Sequence, residues 1–342
     1  MKLLVIRFSA LGDVSMTVPV IDSLARQYPE LDITVLSRPF TQPLFAGMPS
    51  NVQFCGVDFK KYKDLKGIIK LFRELKKTEY DAIADLHNVL RSNILRKLFW
   101  LSGTKVKHIN KGRKEKRKLV RLKHKELKQL PSSFTRYEEV FGKLGFPTKT
   151  KFCSIFNKGK GDCSLFQSVT GMPDGKHWIG IAPFAAHKGK ILPKQTMDAL
   201  IHEASTHKDW RIFLFGGGQA EKEQLEQWAA DYSNVQSLAG KLKLNEELAL
   251  MSWLEVMVCM DSANMHLASL VNTTVISIWG ATHPFAGFMG WKQSIDNAIQ
   301  TNLPCRPCSI FGNKPCFRRD YACLTGIISH EITMKIEKII NQ

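Results

Sequence analysis

The residues able to do chemistry in this chain fall in a few short runs. The first is Arg7-Phe8-Ser9-Ala10-Leu11-Gly12-Asp13, which follows the apolar run Leu3–Ile6. An apolar run of this length reads as a strand of a parallel sheet, buried on both faces. Small residues and Gly12 then allow a sharp turn, and Val14–Gln27 continues as a helix. Asp13 therefore stands at the carboxyl end of the first strand, the edge where open α/β sheets bind ligands. A carboxylate there can take a proton from a bound substrate; the competing reading is a helix cap. A second run, Asp261-Ser262-Ala263-Asn264-Met265-His266-Leu267-Ala268, leaves a buried strand and opens a helix. Its free backbone N–H groups and the positive end of the helix suit a phosphate. A third, Gly216-Gly217-Gly218-Gln219-Ala220-Glu221, is a glycine turn between strand and helix. An acidic side chain there can bind ribose hydroxyls or complement the helix dipole, and Glu221 and Glu223 both stand nearby. Cys305, Cys308, Cys316 and Cys323, spaced Cys-x2-Cys-x7-Cys-x6-Cys, could close a zinc site. The second pair lacks the tight spacing of zinc ribbons, so buried reduced thiols are the reading kept.

The elements that must position these residues alternate between strand and helix. In the first half, Ile33–Ser37, Ala82–Leu86 and Val106–Ile109 read as strands, and Leu65–Lys76 and Ser132–Leu144 as helices. From about Thr148 to Lys176 periodicity is lost. A second series follows, with strands at Trp178–Pro183, Trp210–Phe215, Val235–Leu238, Val256–Met260 and, last, Thr274–Trp279. Helices separate them at Lys194–His207, Glu221–Asp231, Asn245–Trp253 and Asn264–Val271. This predicts an α/β protein of two Rossmann-like, doubly wound domains facing across a cleft. The expected boundaries are 1–155 for the first domain, 156–175 for a linker and 176–325 for the second. A C-terminal helix within 326–342 is expected to pack back on the first domain.

Composition narrows the classes. No apolar run reaches the roughly 18 residues a membrane span needs, and the opening run reads as a strand and not a signal peptide. Eight cysteines in 342 residues do not make a disulfide scaffold, which points to the cytoplasm. The net charge of +18 is uneven: Lys105–Lys128 holds twelve Lys/Arg against Glu115 and Glu126, a net +10. Lys60, Lys61, Lys63, Lys66, Lys70, Arg73, Lys76 and Lys77 form a second basic set. Such a field attracts nucleic acid, an anionic membrane or a phosphorylated substrate.

Arg7-Phe-Ser-Ala-Leu-Gly12-Asp13-Val14 resembles the opening motif of the family 9 glycosyltransferases, the ADP-heptose:lipopolysaccharide heptosyltransferases among them. Asp261-Ser-Ala-Asn-Met-His266-Leu-Ala resembles the family's second signature, with Ala263 in place of the usual glycine. Lys190-Ile-Leu192-Pro193 is similar to its Lys-x-Trp-Pro element with Leu192 for tryptophan, and Gly280-Ala281-Thr282-His283-Pro284 matches a donor-pocket element. The resemblance covers nearly the whole chain and implies the GT-B fold. It implies an inverting transfer in which Asp13 is the general base and Lys190 neutralises the departing diphosphate. Donor contacts are implied for Ala185, Ala186, Lys188, Glu221, Asp261, Ser262, Ala263, Asn264, His266, Gly280 and Thr282. Relatives often carry hydroxyls where Ala185 and Ala186 stand. The acceptor, an anionic lipopolysaccharide inner-core glycolipid, is expected on the first domain against Ser9, Ala10, Gly12, Lys61, Lys63, Arg113, Arg117 and Arg121.

The resemblance also implies an ADP-sugar donor and a peripheral enzyme held by charge at the inner face of the cytoplasmic membrane. The chain has no Asp-x-Asp pair, so no cofactor is required; a divalent ion such as magnesium is compatible with the sequence but not implied by it. Nucleic acid is not an expected partner, since no zinc-finger, RNA-recognition or basic-zipper signature is present. A polyanion-binding α/β protein and a catalytically impaired family member are the alternatives. An NAD-type oxidoreductase would need Gly-x-Gly-x-x-Gly after its first strand, where only Gly12 stands.

Overall fold

In the computed structural model, which describes residues 1–157 and 159–342, the first apolar run forms strand β1 (Lys2–Ile6), with Leu3 to Ile6 fully buried. It is the middle strand of a five-stranded parallel sheet ordered β3-β2-β1-β4-β5, with β2 at Asp32–Ser37, β3 at Val52–Gly56, β4 at Ala82–Asp85 and β5 at Lys105–His108. Pairing runs Ile6 against Leu36 on one side and against Asp85 on the other. The residues that follow β1, β2 and β4 therefore emerge together at one carboxyl edge. The helix expected over Val14–Gln27 is instead two pieces, α1 (Leu11–Ser15) and α2 (Val18–Gln27). Pro19 is the cause: it has no N–H to give the carbonyl of residue 15, and its ring crowds that carbonyl. On α3 (Leu65–Lys76), Asp64 caps the first turn through the Gly67 N–H, and Ile68, Leu71 and Leu75 recur at helical spacing. These three pack with Leu4 and Ile6 of β1 and with Leu95 and Phe99 of α4 (Leu90–Leu101), leaving the lysines of α3 outside.

Chain contacts divide the molecule into two units: Met1–Gly112 with Pro131–Asn157, and Arg113–Leu130 with Lys158–Gln342. The basic segment, expected within a first domain of 1–155, thus belongs to the second unit. It opens with α5 (Arg113–Leu119), and its buried Leu119 and Leu130 pack on Ala286 beside Phe285, Phe288 and Ile310. The Lys125 ammonium donates to the carbonyls of Cys305 and Pro307 at 2.7 and 2.9 Å, and the Leu130 N–H to that of Phe285. Helix α6 (Ser133–Leu144), capped by the Ser132 hydroxyl, returns to the first unit.

After α7 (Gln167–Thr170), the second unit holds a six-stranded parallel sheet ordered β11-β10-β9-β6-β7-β8. Its strands are β6 (His177–Ala182), β7 (Trp210–Leu214), β8 (Val235–Ser237), β9 (Val256–Met260), β10 (Thr274–Ile278) and β11 (Ala298–Ile299). The run Thr274–Trp279, expected to be the last strand, is followed by β11, whose two residues are too few to show a pattern. The helices are α8 (Lys194–Thr206), α9 (Gln219–Ala230), α10 (Leu244–Met251), α11 (Ala263–Leu270), α12 (Ala322–Thr325) and α13 (Ser329–Ile340). Helix α13, expected to return to the first domain, packs on α8 instead. Ile332 and Ile336 are fully buried in the same core as Met197, Leu200 and Ile201, so its apolar stripe is covered within the second unit. Among the described residues no helix is long and apolar enough to cross a membrane.

Candidate active site

At the carboxyl edge of the first sheet, Asp13 is the third residue of α1. Its Oδ2 lies 2.8 Å from Nη2 of Arg7 and accepts the Ala10 N–H at 3.4 Å. The helix therefore begins before Asp13, with Ala10 and not Asp13 at the N-cap; Asp13 reaches back to it from the third helical position, and an ion pair is added. Arg7 is the buried partner, with 8% of its side chain exposed against 37% for Asp13. Its Nη1 donates to the Leu86 carbonyl at 2.7 Å, and the Tyr137 hydroxyl on α6 donates to the Asp13 carbonyl at 3.4 Å. Burial pushes the Tyr137 pKa up to about 12, so its hydroxyl keeps its proton. No described residue partners Oδ1 of Asp13, which leaves one carboxylate oxygen to accept a proton from a substrate hydroxyl. Ser9, Ala10 and Gly12 share this turn; Lys61 and Lys63 are exposed between β3 and α3. Arg113, Arg117 and Arg121 lie in the second unit, apart from these expected companions in the chain's division, because their segment is anchored there by Leu119 and Leu130.

At the carboxyl edge of the second sheet, Lys190 Nζ stands 2.9 Å from Asp261 Oδ2 and donates to the Asp261 carbonyl at 3.0 Å. The lysine arrives on the loop after β6, and the aspartate directly follows β9. Gly280, after β10, packs directly against the Lys190 loop. A β-carbon there would lie 2.6 Å from the Gly189 carbonyl oxygen, which accepts the Ala281 N–H at 2.8 Å. The glycine is thus needed for close packing of the Lys190 loop. Ser262 is the residue before the first turn of α11, and its Oγ is buried without a partner among the described residues; Thr282 Oγ1 is in the same condition. The Ser262 hydroxyl, at a helix N-terminus and next in the chain to the aspartate that holds the Lys190 ammonium, suits an oxygen of a diphosphate. Ala263 and Asn264 begin α11, and His266 is buried one turn along. Ala263 is helical with no positive φ, so the departure from glycine brings no strain. Leu192 is buried in the core of the second unit.

Around this edge, Ala185 packs against the core and Ala186 is exposed. The Lys188 ammonium sits 5.3 Å above the Tyr321 ring. One oxygen of Glu221 accepts the Gly217 N–H at 2.8 Å, so this side chain braces its own glycine turn, while Glu223 is taken by Gln219. The four cysteines Cys305, Cys308, Cys316 and Cys323 are free thiols around one small cavity. Among the described residues, no group of three or more His, Cys, Asp or Glu stands where it could hold a metal ion. Burial pushes the Cys323 pKa up to about 11, with Arg306 opposing. Sequence reasoning passed over Arg306, whose guanidinium donates to the carbonyls of Trp279, Gly280, Thr282 and Thr301 and so fixes the chain after β10. It also gave Arg7 no role. The signal was there: an arginine directly after a buried apolar strand needs a buried partner.

Over residues 68–314 the sequence matches glycosyltransferase family 9 (heptosyltransferase). It is 27% identical over 309 residues to lipopolysaccharide heptosyltransferase 3 of Escherichia coli, covering 84% of this chain and 85% of that one. The glycosyl transferase family 9 structure from Veillonella parvula DSM 2008 is similar with a TM-score of 0.74 at 18% identity, over 99% of this chain and 96% of that one. The E. coli ADP-heptose lps heptosyltransferase II is similar with a TM-score of 0.71 at 18% identity, over 100% and 99%. These structural likenesses identify the architecture as the GT-B fold. With more than half its length matched and both signature runs at sheet edges, the chain belongs to glycosyltransferase family 9, the heptosyltransferases.

Proposed function

We propose that this nucleotide-sugar-dependent glycosyltransferase moves heptose from ADP-heptose to an anionic inner-core lipopolysaccharide acceptor by an inverting single displacement, with Asp13 as general base. The observation that carries the reading is the Arg7–Asp13 pair, in which one carboxylate oxygen is held and the other has no partner among the described residues. The acceptor hydroxyl gives its proton to Asp13 Oδ1 as its oxygen attacks the anomeric carbon. The bond from that carbon to the diphosphate oxygen breaks, and ADP leaves with the electron pair. Lys190 and the N–H groups at the start of α11 oppose the charge that develops on the leaving group. The ADP-heptose donor is supported by the likeness to the E. coli ADP-heptose enzyme.

Ala185, Ala186, Lys188, Gly280, Thr282, Asp261, Ser262, Ala263, Asn264 and His266 are assigned to the donor side, and Glu221 offers its second carboxylate oxygen to the ribose. Ser9, Ala10, Gly12, Lys61 and Lys63 are assigned to the acceptor, with Arg113, Arg117 and Arg121 adding attraction for its anionic groups. The same charges would hold the enzyme at the inner face of the cytoplasmic membrane without a span. The unstrained helical Ala263 and the buried Leu192 favour an active enzyme over an impaired one.

Calorimetric titration with ADP, UDP and GDP, followed by determination of the anomeric configuration of the product, tests the reading. Tighter binding of ADP and an inverted linkage are expected. A retained configuration overturns the single displacement, and equal affinity for the three nucleotides overturns the donor.

A further inference from the structure

The turn that leaves β4 carries a side chain with no part in the scheme above. Asp85 Oδ1 accepts the N–H groups of His87 and Asn88 at 2.9 and 2.8 Å, and its Oδ2 pairs with Arg96 at 2.9 Å. The turn is thereby fixed at the carboxyl edge beside the segment that leaves β1. Two contacts join the segments: Arg7 Nη1 donates to the Leu86 carbonyl, and the Phe8 N–H points at His87 Nδ1 at 3.4 Å. The Phe8 and His87 rings meet edge to face with centroids 5.6 Å apart.

These contacts fix the proton on the imidazole. A backbone N–H can only donate, so Nδ1 must offer its lone pair, and in the neutral ring the proton then sits on Nε2. Burial pushes the His87 pKa down to about 3; Arg7, Lys111 and Arg38 act in the same direction and Asp13 against it. The ring is therefore neutral at physiological pH. Nε2 has no hydrogen-bond partner among the described residues, and with 8% of the residue exposed the ring is not sealed from solvent. An oriented N–H, tied through its own ring and through Arg7 to the segment that carries Asp13, has no partner among the described residues.

We propose that His87 Nε2–H donates a hydrogen bond to an oxygen of the acceptor and so sets the reacting hydroxyl against Asp13. This rests on the acceptor binding at the edge that carries Asp13. On this assignment His87 is a fixed neutral donor and takes no proton itself.

Glutamine and asparagine separate this role from a purely structural one. The amide of His87→Gln reaches the position of Nε2, whereas that of His87→Asn reaches only Nδ1. His87→Ala and His87→Asn are expected to raise the acceptor KM about tenfold to a hundredfold with ADP affinity unchanged, and His87→Gln to recover most of the loss. The acid limb of the pH profile of kcat/KM should stay in place in His87→Gln. Rescue by asparagine and not by glutamine overturns the proposal, because the ring would then serve only the Phe8 N–H. Loss of the acid limb in His87→Gln overturns it as well, because His87 would then be a base. Asp13→Ala assayed alongside keeps the two readings apart. A normal acceptor KM in His87→Ala with kcat lost in Asp13→Ala removes His87 alone, and full activity in both removes the acceptor from this edge.

Discussion

Each sheet ends in an ion pair at its carboxyl edge, but the two pairs are buried the opposite way round. In the first unit the cation is sunk and the anion offered: Arg7 keeps 8% of its side chain exposed and Asp13 keeps 37%. In the second the anion is the more buried partner, with Asp261 at 6% and Lys190 at 15%. The strand-to-helix edge is the same in both, and the choice of buried partner decides which charge meets a ligand. A sunken arginine with its Nη1 on the Leu86 carbonyl serves as a fixed counter-ion behind a carboxylate that can take a proton. A sunken aspartate behind Lys190 leaves an ammonium group to meet phosphate oxygens.

Removing the offered group on each side should therefore damage different steps. Asp13→Ala should produce the largest effect, a fall in kcat of about 10²–10⁴-fold, with ADP affinity in calorimetry unchanged. A comparable loss of ADP binding would break the contrast. Lys190→Ala should weaken ADP binding about tenfold to a hundredfold while leaving the acceptor KM in place. The same substitution should also lower stability, because the Asp261 carboxylate is left buried without its cation. Lys190→Ala combined with Asp261→Asn should therefore recover thermal stability but not nucleotide affinity. The smallest effect is expected of Gly280→Ala, where a β-carbon would meet the Gly189 carbonyl oxygen at 2.6 Å. Denaturant unfolding should show a cost of about 1–3 kcal/mol, with ADP binding weakened several-fold as the Lys190 loop shifts. If stability falls and ADP affinity holds, the glycine serves the fold alone.

Much of this was legible in the sequence where one strong local signal decides the outcome. The strand Val256–Met260 and the helix Leu65–Lys76 fall where their apolar patterns put them. The split between α1 and α2 was also written locally, in Pro19, but the apolar residues on either side masked it. The basic segment was misassigned for a different reason. Only Leu119 and Leu130, eleven positions apart among lysines and arginines, anchor it in the apolar cluster around Ala286. Two apolar residues so far apart give no periodicity, and the partner surface at Phe285–Phe288 lies some 150 positions further along. Glu221 had two readings that the sequence could not separate; its bond to the Gly217 N–H engages one oxygen and leaves the other. Arg7 sat inside the recognised motif, yet its pairing with Asp13 depends on a turn of chain that no spacing rule describes.

The division of the chain also bears on how the protein could be dissected. The polypeptide passes from one unit to the other after Gly112, again after Leu130 and again after Asn157. A fragment ending near residue 157 would carry Arg113–Leu130 without the surface that buries Leu119 and Leu130, and a fragment beginning there would expose that surface in turn. Neither half is a self-sufficient module. Exchange of one whole unit between related enzymes would therefore have to move this segment with the C-terminal half, as an insert threaded through the N-terminal one.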